Sequence, residues 1–364
     1  MPEGWEEEFG YIEEEYYFSG NAASYELEGT AETDGEWSVS PADETADFVT
    51  RILVRRPVDD ADFNGTLVVE WLNVTAGRES DPDFGFLADE LMGQGYAYMA
   101  VSAQSVGVEP GGLGIPVPGV PPEALAPLKE WDPERYGNLS HPGDEFSYDM
   151  FTQASQIVVD DGGPIAVLNM DHMIAAGDSQ SASGSVSYVN AVQPITEAFD
   201  GFLVHSRGSN GAGLNEVPGQ ELPGVAQIRS DVAAPVFQFQ TETDLLSLLN
   251  FGPARQADAE NLITWEVAGT GHADKSTLDY GVLAGQRWTD ANVDLSTECG
   301  IVNDGPQQPV VQTAFAALNE WIVDGTRPAE SAQIETDGNG DVVRDASGIA
   351  RGGIRTPAVD VPVS

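Results

Sequence analysis

Short apolar runs alternate along the chain with segments in which apolar residues recur at the spacing of a helix face. The apolar runs predict strands within 48–57, 65–77, 96–108, 172–177, 198–208, 235–244 and 261–274. The helical spacing predicts helices at 83–95, 148–159, 181–192 and 310–325. This alternation is typical of an α/β fold with a mostly parallel central sheet flanked by helices.

Two segments interrupt the alternation, because Pro and Gly are too frequent there for regular structure. Residues 109–146 and 209–234 both lie between elements of the same sheet pattern. We therefore expect a single domain over 1–364, with 109–146 as an ordered insertion over the active site and 209–234 as a short lid. An acidic N-terminal arm is expected to precede the first strand. Residues 326–364 are expected to be a C-terminal extension with a hairpin turn at Asn-Gly.

Charge is the feature in which the composition departs furthest from an ordinary protein. The chain has 60 acidic and 15 basic residues, a formal net charge of −45, and its only lysines are Lys129 and Lys275. Such a surface repels itself unless concentrated salt screens it, so we predict a halophilic protein, with an acidic mesophilic protein as the alternative. The same charge repels nucleic acid and anionic membranes, and neither is an expected partner.

The N-terminal sequence and the single cysteine bear on the compartment. The chain shows no basic segment followed by an apolar run, and no run approaches the roughly 20 apolar residues that span a bilayer. Cys299 is alone, so no intramolecular disulfide can form. We expect a cytoplasmic protein, and the sequence leaves its oligomeric state open.

The first candidate for chemistry is Ser179, where an apolar run meets a series of small residues. Gly177 and Ser181 lie two positions to either side of it. A nucleophile on a tight strand-to-helix turn needs small neighbours at both positions, and serine meets that need nearly as well as glycine. The backbone N–H of Gln180 would then point from a helix N-terminus toward a developing oxyanion. The alternative is a serine in an ordinary loop.

Two further side chains follow later strands in the order of a Ser–acid–His triad. The turn after the strand at 235–244 holds Glu242 and Asp244. We favour Asp244 as the acid, with Glu242 as the alternative acid and a helix N-cap as the alternative role. His272 follows the next strand in a Gly-rich turn and is favoured over His205, which ends an earlier strand.

A second oxyanion donor is expected in the small-residue loop after the strand within 65–77. The candidates are the backbone N–H groups of Asn73, Val74 and Thr75, and a purely structural turn is the alternative.

No spacing of Cys and His residues indicates a metal site. In the tail, Asp337, Asn339 and Asp341 have the spacing of a calcium loop, but Val342 replaces its glycine and no Glu closes it. We therefore expect neither a metal nor an organic cofactor.

Several stretches are similar to one known family. The family is the bacterial and archaeal α/β-hydrolase-domain family whose elbow reads Gly-x-Ser-Gln-Ser. The stretches that resemble it span nearly the whole chain and are EWLNVTAG, EWDPERYGNLSHPGDEFSYDMFTQA, AAGDSQSA, DGFLVHSRG, FQTETDLL, WEVAGTGHAD and the C-terminal GGIRTPAVDVPV. The resemblance implies a Ser–acid–His hydrolase whose partner is a small-molecule carboxylic ester. An acyltransferase, a lactonase or a silent binding protein with the same fold is the alternative.

The expected pocket residues follow from this resemblance. They are Trp71, Trp131, Tyr136, His205 and Arg255. For Arg255, an ion pair with a nearby acid is the favoured alternative.

Overall fold

The fold is given by a computed structural model that describes residues 1–117, 120–157, 163–166, 168–246, 248–286 and 300–361. Its strands are β1 (Tyr11–Leu27), β2 (Val39–Pro57), β3 (Thr66–Trp71), β4 (Ala97–Val101), β5 (His172–Asp178), β6 (Gly201–His205), β7 (Val236–Thr241) and β8 (Leu262–Val267). Its helices are α1 (Trp5–Phe9), α2 (Pro82–Gly93), α3 (Ser105–Val108), α4 (Leu128–Trp131), α5 (Pro133–Tyr136), α6 (Ser147–Ile157), α7 (Gln180–Ser187), α8 (Gln193–Thr196), α9 (Lys275–Gly285), α10 (Gln307–Asp324) and α11 (Pro357–Asp360).

The strands form one eight-stranded sheet in the order β1-β2-β4-β3-β5-β6-β7-β8. β1 and β2 are an antiparallel pair at one edge, β2 also pairs antiparallel with β4, and the remaining neighbours are parallel. All residues of β3, β4, β6 and β7 are buried. β4 and β6 are accordingly nearly continuous apolar runs, whereas β7 alternates apolar residues with Gln238 and Gln240. The mostly parallel sheet confirms the predicted α/β fold.

The N-terminal segment corrects one expectation, because it is strand β1 and not an acidic arm. Its acidic residues make cross-strand ion pairs: Glu13 accepts from Arg55 of β2 at 2.7 Å, and Glu15 accepts from Arg51 at 3.3 Å. Phe18 of β1 packs edge-on against a phenylalanine of β2. The acidic composition concealed a strand whose carboxylates are neutralised by the strand beside it.

Helices cover both faces of the sheet. α6 and α7 pack on one face around Phe151 and Val186, and α2, α9 and α10 pack on the other around Phe86 and Phe315. The predicted helices correspond to α2, α6, α7 and α10, and α7 continues into a single π-helical turn at Tyr188–Val192. Residues 158–159 of one predicted helix and Cys299 lie outside the described residues. No helix in the described ranges has the length and apolar character needed to cross a membrane.

The three predicted irregular segments pack against the fold in different ways. The described part of 109–146 contains short helical turns and bridges Ser140 to Val49 of β2. In 209–234, Leu214, Ala226 and Ile228 are buried in the core beside α7, and the role of this segment as a lid stays a prediction. The Asn-Gly turn of the tail lies between the antiparallel bridge partners Thr336 and Val342, as a hairpin turn requires.

Candidate active site

Ser179 occupies the strained turn between β5 and α7. Its φ is 59° and its ψ −112°, a positive φ that non-glycine residues rarely adopt. A Cβ on Gly177 would lie 2.6 Å from the Ser185 hydroxyl and 3.1 Å from the Ser181 backbone, so glycine is required there. Ser181 donates to the Asp178 carbonyl at 2.8 Å and accepts from the Asp178 N–H at 3.1 Å. Its hydroxyl therefore ties the turn together, which a glycine could not do.

The structure brings Ser179 together with His272 and Asp244. The Ser179 hydroxyl lies 2.8 Å from His272 Nε2, and His272 Nδ1 lies 2.9 Å from Asp244 Oδ1. The tautomer that satisfies both contacts carries its proton on Nδ1 and accepts from Ser179 at Nε2. Asp244 also accepts from the Thr241 N–H at 2.6 Å, so it combines the capping role and the histidine contact that the sequence left as alternatives.

The electrostatics of this contact favour protonated His272. Burial lowers the pKa of His272, but the hydrogen bond and charge of Asp244, assisted by Asp178, raise it to about 9. An imidazole that is this basic accepts a hydroxyl proton readily and gives it up less readily. Above this pKa the imidazole is neutral, and its Nε2 can then take the proton of Ser179.

Glu242, the alternative acid, points elsewhere. Its Oε2 accepts from the Gly269 N–H at 2.7 Å, and its Oε1 pairs with Arg344 of the C-terminal extension at 2.5 Å. It joins the turn after β7 to the loop after β8 and to the tail. The geometry therefore separates the two carboxylates that the sequence could not distinguish.

The loop after β3 carries the candidate oxyanion donors. The Asn73 N–H donates to the Ser80 carbonyl at 2.9 Å, and the Thr75 N–H donates to Asn73 Oδ1 at 2.8 Å. In the described part of the chain, no acceptor faces the N–H of Val74. The Asn73 side chain also donates to the Asp178 carbonyl at 3.0 Å, which holds this loop against the elbow. Of the three candidates, Val74 is the one whose donor is available, beside that of Gln180 at the start of α7.

Gln104 is a site residue that the sequence reasoning missed. Its amide lies in the loop after β4 and forms a reciprocal pair with the Gln180 side chain, at 3.0 Å and 2.5 Å. It also donates to the Leu72 carbonyl at 3.1 Å. The loop after β4 therefore holds the side chain of Gln180 in place. In the sequence, the only sign of this role is that Gln104 lies shortly after a strand.

His205 lies behind the elbow, in a buried polar group with Asp83 and Asp178. Its Nδ1 is 2.7 Å from Asp83 Oδ1 and 3.5 Å from Asp178 Oδ1, and Phe86 and Phe239 enclose its ring. Burial raises the pKa of Asp178; burial lowers that of His205, but the two carboxylates raise it overall. The imidazole of His205 is fully buried, so it does not line a substrate pocket as the sequence analysis predicted. Asp83 lies 122 residues from His205, and no local signal links them.

The other predicted pocket residues are not gathered around Ser179. Trp71 is buried against Tyr148 and Phe151. Trp131 and Tyr136 line a cavity between the insertion and the β1–β2 pair.

Arg255 makes a bidentate ion pair with Glu266, at 2.7 Å and 2.6 Å. This is the ion pair with a nearby acid that the sequence analysis favoured over a pocket role. The Arg255 guanidinium is therefore occupied within the protein.

The described ranges are 1–117, 120–157, 163–166, 168–246, 248–286 and 300–361. Within them, no group of three or more His, Cys, Asp or Glu side chains is arranged to hold a metal ion.

Comparison with known proteins places this geometry in context. Solved structures similar to this chain include fungal esterases from Rhizomucor miehei, with 11% identity, a TM-score of 0.41 and coverage of 86% of this chain and 85% of that chain. Another is a cold-adapted esterase from an Arctic intertidal metagenomic library, with 15% identity, a TM-score of 0.37 and coverage of 76% and 95%. These values are too low to carry an argument about activity.

The sequence itself is the stronger basis for assignment. No curated protein matches it significantly. A family model described as the alpha/beta hydrolase domain matches residues 5–364, nearly the whole chain. The chain therefore belongs to the alpha/beta hydrolase domain family.

Proposed function

We propose that the protein is a serine hydrolase that cleaves carboxylic esters through an acyl-enzyme. The observation that carries the proposal is the chain of hydrogen bonds from Ser179 through His272 to Asp244, at 2.8 Å and 2.9 Å, on a strained elbow. Esters are the class that the sequence resemblance implies.

In the first half of the reaction, His272 Nε2 takes the hydroxyl proton as Ser179 Oγ attacks the ester carbonyl carbon. The carbonyl oxygen becomes an oxyanion, which the backbone N–H groups of Gln180 and Val74 stabilise. The bond to the leaving alcohol then breaks, and His272 gives its proton to that alcohol. In the second half, His272 takes a proton from water as the water oxygen attacks the acyl carbon. The bond from that carbon to Ser179 Oγ then breaks as His272 gives the proton to Oγ, which releases the carboxylic acid and restores Ser179.

The first experiment is hydrolysis of a graded panel of p-nitrophenyl esters in molar KCl, with wild type beside Ser179→Ala. Activity that disappears in the variant supports Ser179 as the nucleophile, and activity that survives refutes it. Labelling by a fluorophosphonate probe, with Ser179→Ala as the control, distinguishes an active serine from a silent fold. Rates measured with added alcohols or amines distinguish a hydrolase from an acyltransferase, and a lactone panel tests the lactonase alternative.

We also propose that the protein works in concentrated salt. The support is a net charge of −45, which water of low ionic strength leaves unscreened over distances of about 30 Å at 0.01 M. Molar salt reduces that range to about 3 Å, so the carboxylates then repel only their immediate neighbours.

A further inference from the structure

A cavity of about 460 Å³ lies beside the candidate oxyanion loop. Its walls come from the insertion, the β1–β2 pair, the loop that follows β3 and helix α9. Neither Ser179 nor His272 lines it. Small-molecule sites in proteins usually have volumes of about 300–1,000 Å³, so this cavity is large enough for a ligand.

Arginine is concentrated around this cavity. The chain has 15 basic residues, of which two are lysines and thirteen are arginines. Four of these arginines line the cavity. Three are neutralised within the protein: Arg51 pairs with Glu79, Arg55 with Asp81 and Arg135 with Glu15. The fourth arginine that lines the cavity is Arg78, which is in none of these three ion pairs.

Arg78 has no such partner. Among the arginines that the structure describes, only Arg78 and Arg207 lack a carboxylate within ion-pair distance. The Arg207 guanidinium is fully buried and donates from all three nitrogens to protein oxygens. In the described ranges, the one acceptor of Arg78 is the Ala124 carbonyl, at 3.3 Å.

The missing partner is significant because acids outnumber bases four to one, 60 to 15. Burial lowers the pKa of Arg78, and Asp81, which offsets this in part, is itself paired with Arg55. A partly desolvated cation without a counterion destabilises the protein. An anion in the cavity would remove that cost.

The acids of these ion pairs, Glu13, Glu15, Glu79 and Asp81, also line the cavity, and its other walls are largely apolar. Leu128, Trp131, Tyr136 and Tyr280 contribute them, and the rings of Trp131 and Tyr136 stack at a centroid separation of 5.8 Å. Aromatic and aliphatic walls beside one cation that is outside these ion pairs suit a ligand that has an apolar body and a single anionic end. A guanidinium binds a planar carboxylate through two parallel hydrogen bonds.

We propose that this cavity binds an organic carboxylate with an apolar body, and that its carboxylate pairs with Arg78. Such a ligand would also act on the candidate site, because Arg78 and Val74 belong to one loop. The Asn73–Ser80 bridge closes that loop, and the Gly77 N–H donates to the Val74 carbonyl at 2.9 Å. This second effect rests on the proposed function, whereas binding itself does not.

The test is calorimetric titration of butanoate, phenylpropanoate and naphthylacetate into the Ser179→Ala protein in molar KCl. We expect saturable binding of at least one acid, about tenfold or more weaker binding of the corresponding neutral alcohol, and a similar loss in Arg78→Gln. Arg327→Gln, which removes an arginine at a distant ion pair, is the matched control and keeps full affinity. No binding of any acid, or equal binding by Arg78→Gln, overturns the proposal.

A folding defect in Arg78→Gln would show as a lower melting temperature than that of Arg327→Gln. In that case the proposal is tested by the affinities of each acid and of its corresponding alcohol for the protein that retains Arg78. Inhibition of ester hydrolysis separates the two sources of the carboxylate. Competitive inhibition identifies it as part of the substrate, and a change in kcat without competition identifies a separate effector. Because the titration uses the Ser179→Ala protein, its result does not depend on whether Ser179 is the nucleophile.

Discussion

Replacement of Asp244 by Asn tests the proposed mechanism at its most specific point. Asp244 accepts from the Thr241 N–H through Oδ2 and from His272 Nδ1 through Oδ1. In the Asp244→Asn variant, the amide oxygen keeps the Thr241 bond, so the NH₂ group faces His272. The imidazole then has to carry its proton on Nε2, where it can no longer accept the proton of Ser179.

Two magnitudes follow from this change. The wrong tautomer lowers kcat/KM by about 10³–10⁴-fold. In the variant the hydrogen bond and charge of Asp244 are lost while burial remains, so the pKa of His272 falls from about 9 toward its ordinary 6.5. The raised pKa corresponds to about 3 kcal/mol of net stabilisation of protonated His272 by its surroundings, with Asp244 as the largest favourable contribution.

The sign of the stability effect follows from the raised pKa. Protonated His272 stabilises the folded state fully below pH 6.5, and this contribution is lost as pH rises through about 9. Asp244→Asn is therefore expected to destabilise the protein by up to about 3 kcal/mol in mildly acidic buffer. Above about pH 9 the difference should be small.

The assay is the pH dependence of kcat/KM and of chemical denaturation, in molar KCl. Wild type should gain activity with pH until about pH 9, where His272 becomes neutral. Glu242→Gln is the matched control, because this carboxylate is buried in the same turn but bonds to Gly269 and Arg344. It should cost less than about tenfold in kcat/KM and leave the acid limb in place. A larger loss in Glu242→Gln than in Asp244→Asn would refute the reasoning.

Three further outcomes are expected. The melting temperature in calorimetry should rise steeply from dilute buffer to molar KCl as carboxylate repulsion is screened, and a salt-independent value would contradict the halophilic proposal. Gly177→Ala should cost about 1–3 kcal/mol in urea unfolding, since its Cβ would lie 2.6 Å from the Ser185 hydroxyl; unchanged stability would mean that the elbow relaxes freely. Phe315→Ala, in the fully buried face of α10, should cost about 3–5 kcal/mol, and a loss under 1 kcal/mol would show that α10 does not close the core.

The sequence alone was sufficient for the fold class, and it predicted Ser179, His272 and a carboxylate in the turn after β7 as the candidate triad. Strands and helices alternate with clear periodicity, and Ser179, Asp244 and His272 each follow a separate strand. Parallel strands end at the same edge of a sheet, so residues directly after them meet there although 93 positions separate Ser179 from His272. Local pattern and the rules of parallel sheets therefore predict the meeting place, without any knowledge of side-chain packing.

Tertiary structure alone decided which polar groups face which. Periodicity could not choose between Glu242 and Asp244, because both lie in one turn and only their orientations differ. Nor could it show that, among the described residues, the Val74 N–H has no acceptor while its neighbours do, or that no described carboxylate pairs with Arg78. Hydrogen bonds and ion pairs form between groups distant in sequence, and packing determines which group reaches a partner first. The N-terminal strand was missed for the same reason, since the arginines that neutralise its acids lie on β2.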